Sequence, residues 1–123
     1  MPTNIEIRER AVRKLGLRSM SQTTSSEIAD DLDQAYLEVY AMLDKQTLTT
    51  WDLDEDIPDE FSHPVVSLVA DSRKNEYPIP VDKYARISLD AHGDGTDANP
   101  SALLTIRLMQ ASNVYKTPPA EYF

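Results

Sequence analysis

Between Ser26 and Lys45 the apolar residues recur at spacings of three and four: Ile28, Leu32, Ala35, Tyr36, Val39, Tyr40 and Leu43. That period lays a single stripe along a helix and fits neither face of a strand. Ahead of it Thr24-Ser-Ser-Glu27 spells a capping box. Glu27, Asp30, Asp31 and Asp33 crowd the first turns, where the helix dipole favours anions. The rest of the chain follows the same logic, so the expected fold is all-α: a small bundle of about four to five helices.

Thr3 and Glu6 form another capping box. They open a short helix with Ile5, Ile7, Ala11, Val12 and Leu15 as its apolar set, and Gly16 stops it. A third helix begins either at Asp59, as its cap, or at Pro64. Val65, Leu68 and Val69 give it a buried face, and Pro78 and Pro80 end it near Asn75 to Tyr77. A fourth is expected over Val81 to His92, with Gly93 as its stop. Asn99-Pro100 predicts the start of a fifth, running to about Ala111. That helix is apolar on more than one face through Leu103, Leu104, Ile106, Leu108 and Met109.

Two segments do not read as helix. Trp51 to Phe61 interleaves the only Trp with the densest acid run. It reads as a long crossover in which Trp51, Leu53, Ile57 and Phe61 anchor to a core. Asp52, Asp54, Glu55 and Asp56 then turn outward. The crossover is expected to join an N-terminal helical hairpin to a C-terminal helical half. At the other end, Asn113 to Phe123 contains Pro118-Pro119 and three aromatic rings, Tyr115, Tyr122 and Phe123. It reads as an extended arm with no room in a small core, the alternative being a tail folded back on its own domain. Residues 1–112 are thus expected to form one helical domain and residues 113–123 a docking arm, with Val114, Tyr115, Pro118, Pro119, Tyr122 and Phe123 as its contacts.

The net charge is −9, unevenly spread. Residues 1–18 hold five bases against two acids, whereas residues 19–60 hold twelve acids against one base. Arg8, Arg10, Arg13 and Lys14 suit a solvated side, or a contact with a neighbouring subunit or another charged partner, better than a grip on phosphate. No segment has the roughly 18 apolar residues of a membrane span, and the 123 residues contain no cysteine. These features fit a protein made in the cytoplasm.

Catalytic patterns are missing. There is no glycine-rich phosphate loop, no Gly-x-Ser-x-Gly and no His-Glu-x-x-His. The loop from Asp90 offers His92, Asp94 and Gly95 against a calcium-loop template, but Ser101 stands where the bidentate Glu belongs. No catalytic residue, cofactor site or metal site is assigned, and the chain is expected not to be an enzyme.

Three phrases carry a family resemblance: Arg13-Lys-Leu-Gly16, Ser26-Glu-Ile-Ala-Asp-Asp-Leu-Asp-Gln-Ala35, and Ile57-Pro-Asp-Glu-Phe61. In this order, with Met42-Leu43-Asp44 between them, the chain resembles the head–tail connector adaptors of tailed bacteriophages. The likeness is to the tail accessory factors, or head completion proteins, that bind beneath the portal. It covers most of residues 3–77, and the loop from Gly93 to Asn99 departs from it. The resemblance implies a structural virion protein at the head–tail junction. Such a protein forms a ring of about twelve copies on the portal protein after DNA packaging. It extends the channel through which DNA passes without specific binding. It also presents a platform for the next tail component, a nozzle, stopper or needle. Two other readings of the residues stand beside this one: an acidic helical module that mimics DNA or inhibits a nucleic-acid enzyme, and a carboxylate-based cell-wall hydrolase.

Overall fold

The computed structural model describes residues 2–17 and 25–116. Five helices follow in order: α1 (Asn4–Lys14), α2 (Ser26–Lys45), α3 (Asp59–Arg73), α4 (Val81–His92) and α5 (Ala102–Lys116). Among the described residues there is no strand, and the all-α expectation holds.

Each boundary has a local cause. Thr3 caps α1 by accepting from the Glu6 amide at 3.2 Å. Gly16, at φ 75°, closes the other end. Its N–H donates to the Arg13 carbonyl, and the Leu17 N–H donates to that of Val12, which is the Schellman pattern. Gly93 at φ 70° likewise ends α4. Two expected starts move. Ser25 caps α2 in place of Thr24, through a 3.4 Å bond from the Ile28 amide. Ser101 opens α5 in place of Asn99, accepting from the Leu104 amide at 3.1 Å. In both cases a hydroxyl closer to the apolar run takes the role.

Helix α3 begins at Asp59 after Pro58, with no side-chain cap, and carries Pro64 inside it. Pro64 falls within the first two turns, where its missing N–H removes a single ladder bond. Helix α5 runs to Lys116, beyond the expected stop near Ala111. The reason is that the first proline is Pro118, and the restriction it imposes backwards falls on Thr117. The extended arm is therefore not extended over residues 113–116. Its remaining residues, including Pro118, Pro119, Tyr122 and Phe123, lie outside the described residues.

Helix α3 is the axis of the fold and packs on each of the other four helices. Val65, Val69 and Ala70 are buried at its centre. One continuous cluster joins Ile7 and Val12 of α1, Leu32 and Leu43 of α2, the α3 residues, Ile87 of α4 and Ile106 of α5. The N-terminal hairpin of α1 and α2 and the C-terminal half thus share one core, as one helical domain requires. Ile5, counted in the apolar set of α1, points outward and is 55% exposed.

Candidate interaction surface

The crossover is anchored as expected at three of its four apolar positions. Trp51, Ile57 and Phe61 are buried, but Leu53 is 40% exposed. The chain turns over Asp52 to Glu55, with the Glu55 amide bonded to the Asp52 carbonyl at 3.0 Å. Leu53 occupies the outer corner of that turn, where its side chain leaves the core. The Glu55 carboxylate reaches back to the Asp52 amide at 2.9 Å and locks the turn. All five residues from Asp52 to Asp56 are exposed.

Trp51 sits in an aromatic stack. Its ring centroid lies 5.4 Å from that of Phe61 and 6.2 Å from that of Tyr40. Its indole N–H donates to the Tyr36 hydroxyl at 3.0 Å, and the Tyr40 hydroxyl donates to the Trp51 carbonyl at 2.9 Å. Burial pushes the Tyr36 phenol above its usual range. The crossover is also tied to the start of α1, because the Ile57 amide donates to the Pro2 carbonyl at 2.8 Å. The acidic turn therefore stands on a rigid base.

The four bases of α1 divide into two pairs. Arg8 reaches across to α2 and donates to Asp33 at 3.1 Å, with Glu9 alongside at 2.9 Å. Lys14 meets Asp90 of α4 at 2.5 Å. Both bind the bundle together. Arg10 is exposed and Arg13 half-buried. The loop from Asp94 closes on itself. Hydrogen bonds from the Thr96 side chain and amide, and from Asn99, hold the Asp94 carboxyl below its usual range.

A second feature had no signal in the sequence. Helices α2 and α5 lie side by side across α3 without closing on each other. The gap between them is a groove of about 490 Å³. Val39 and Met42 of α2, Leu68 of α3 and Leu103 of α5 supply its apolar walls, and Asp71 and His92 stand at its rim. The His92 Nε2 is 2.9 Å from the Asp71 carboxylate. Polar straps tie α2 and the residues after it to α5 and to α3. Towards α5, Arg107 donates to Gln46 at 2.5 Å, and Gln110 to the Leu48 carbonyl at 3.3 Å. Towards α3 and the residues after it, Arg73 binds Asp31 at 3.0 Å and also Glu38, and the Tyr77 hydroxyl donates to Asp31 at 2.5 Å.

No family model, curated protein or solved structure matches this chain.

The Tyr77 strap has a measurable consequence. Burial, and then the bond to Asp31, push the Tyr77 phenol up to about 12. An unfolded Tyr ionises near pH 10. The strap's contribution is then fully present below about pH 10 and is lost as pH rises towards 12. Urea midpoints measured from pH 8 upward should fall more steeply above about pH 10 for the parent chain than for Tyr77→Phe. Parallel curves would show that the bond carries no linkage.

Proposed function

We propose that this chain is a head–tail connector adaptor of a tailed bacteriophage, a structural virion protein that assembles as a ring on the portal protein. The observation that carries this reading is the helix order with its sequence phrases: a basic α1 stopped by Gly16, an acid-rich α2 capped by Ser25, an aromatic crossover into Ile57-Pro-Asp-Glu-Phe61, and a central α3. The charge distribution supports it. A subunit with Arg10 exposed on α1, and five exposed residues, four of them acids, at the crossover turn, suits repeated head-to-tail contacts. A ring of about twelve such subunits, made in the cytoplasm and placed at the head–tail junction, would surround the DNA channel. Its net charge of −9 would let phosphate pass without adhering. Its far side would receive the next tail component, and the arm through Tyr122 and Phe123 would contact the portal.

A DNA mimic needs free carboxylates ranked along one face. Here Asp31, Asp33, Glu38 and Asp90 are engaged by Arg73, Arg8 and Lys14, which favours the adaptor over that reading.

The test is binding to the portal encoded in the same genome. A chain lacking residues 117–123 should keep its helical circular dichroism, yet no longer co-elute with portal. Tyr122→Ser with Phe123→Ser in the full chain should weaken binding at least tenfold. Undiminished binding by both variants would overturn the role of the arm. Absence of any complex with the parent chain would overturn the adaptor itself.

A further inference from the structure

Helix α5 is apolar on two sides. Ala102 and Ile106 are buried in the bundle, where α5 packs on α3 and α4. Leu104 and Leu108 remain 44% and 59% exposed. Ala111, also exposed, continues them at spacings of four and three. Residues so spaced share one face of a helix, the face through which helices pair. The same helix carries Arg107 and Lys116 and no acid, in a chain of net charge −9. Arg107 is exposed and meets a neutral group, the side-chain oxygen of Gln46. Among the described residues its charge has no carboxylate partner.

The crossover turn is the converse. Leu53 is 40% exposed at its corner, between carboxylates at Asp52, Asp54, Glu55 and Asp56. The ion pairs of the described residues lie elsewhere, so these four acids have no cation beside them there. An apolar tip among uncompensated anions thus complements an apolar stripe with an uncompensated cation. Both faces are exposed in the single chain, so they do not cover each other within it.

We propose that the crossover turn of one copy docks on the outer face of α5 of a second copy, with Leu53 between Leu104 and Leu108 and Arg107 against the carboxylates. Pairing of α5 with α5 is disfavoured, because it would bring two acid-free helices and two Arg107 side chains together. The turn loses little freedom on docking. Glu55 already locks it onto the Asp52 amide at 2.9 Å, and Trp51 and Ile57 are buried on either side.

The contact joins two different faces and is therefore heterologous: each copy offers its turn to one neighbour and its α5 to another. One leucine and a few charges make a small, weak contact. A closed ring holds every copy by two of them. The inference rests on the ring reading for that closure, and names the faces that meet.

The chain has no cysteine, so introduced cysteines report the contact. Full-length Leu53→Cys and Leu108→Cys proteins are mixed without portal and oxidised with glutathione disulfide. Their mixed disulfide should form about tenfold faster than that of Ile5→Cys with Leu108→Cys, since Ile5 is equally open to solvent on α1. Adding Arg107→Glu to the Leu108→Cys protein should remove the advantage, and adding Asp54→Arg to the Leu53→Cys protein should restore it. Restoration also shows that both variants are folded. Equal rates in the first two mixtures would overturn the proposal. Faster self-linking of Leu108→Cys alone would overturn it too, because α5 would then pair with its own copy. Rates indifferent to the charge swap would remove Arg107 from the contact. Portal binding is measured separately on the parent chain. A portal complex without the mixed disulfide removes this contact and leaves the adaptor reading, whereas the mixed disulfide without a portal complex does the reverse.

Discussion

Replacing Trp51 by Ala should lower the unfolding free energy by about 3–5 kcal/mol, the range for truncating a large buried ring. Trp51 is only 5% exposed and is packed between Phe61 and Tyr40. Its removal also leaves the buried Tyr36 hydroxyl without the indole donor it accepts from, and an orphaned polar group adds to the cost. The neighbouring Leu53→Ala is the control. It removes an exposed side chain at a turn corner and should change stability by no more than ~0.5 kcal/mol. Urea denaturation followed by far-ultraviolet circular dichroism measures both. Equal losses in the two variants would mean that the crossover is not held by its aromatic stack. Asp52 to Asp56 hold a fixed charge pattern only while Trp51 and Ile57 pin both sides of the turn.

Much of this fold follows from local physics, and its failures have local causes too. The stripe of α2 was legible because one helix face must be apolar wherever a core lies against it. Thr3 was legible as a cap because no rival hydroxyl stands next to it. At α2, by contrast, Thr23-Thr-Ser-Ser26 offers four oxygens in a row. Asn99 and Ser101 compete in the same way ahead of α5. Composition marks such starts, and only the packing of the first turn selects among the candidates. Leu53 was misplaced because alternating apolar and acidic residues suggest anchors at every apolar position, while a turn at Asp52–Glu55 shifts the register. The destinations of Arg8 and Lys14 were hidden by distance. Their partners Asp33 and Asp90 lie 25 and 76 residues away. The groove was invisible for the same reason. It is a space left between two helices that both pack on a third, and no short stretch of sequence encodes it.

Gly93→Ala should be the other severe substitution, destabilising by about 2–5 kcal/mol. Gly93 has φ 70° and ψ −175°, a backbone region that residues with a Cβ scarcely enter. Space is denied as well. A Cβ at this position would press on the Asn99 carbonyl oxygen, and would stand 2.8 Å from the Ser101 nitrogen and 2.9 Å from the Pro100 carbonyl carbon. These are backbone atoms that cannot rotate aside. Gly95 separates the two effects, because it too has positive φ, at 86°, but a Cβ there meets nothing within 4 Å. Gly95→Ala should therefore cost only the conformational part, about 1–2 kcal/mol. The difference between the two variants in thermal unfolding isolates the close approach of α4 to the start of α5. That approach sets His92 and Ala91 against Ser101 and Leu103 at one wall of the groove. Gly93→Ala should accordingly displace the Met42 methyl resonance even below its melting transition, while Gly95→Ala leaves it in place. Identical behaviour of the two variants would show that the α4–α5 junction does not shape the groove.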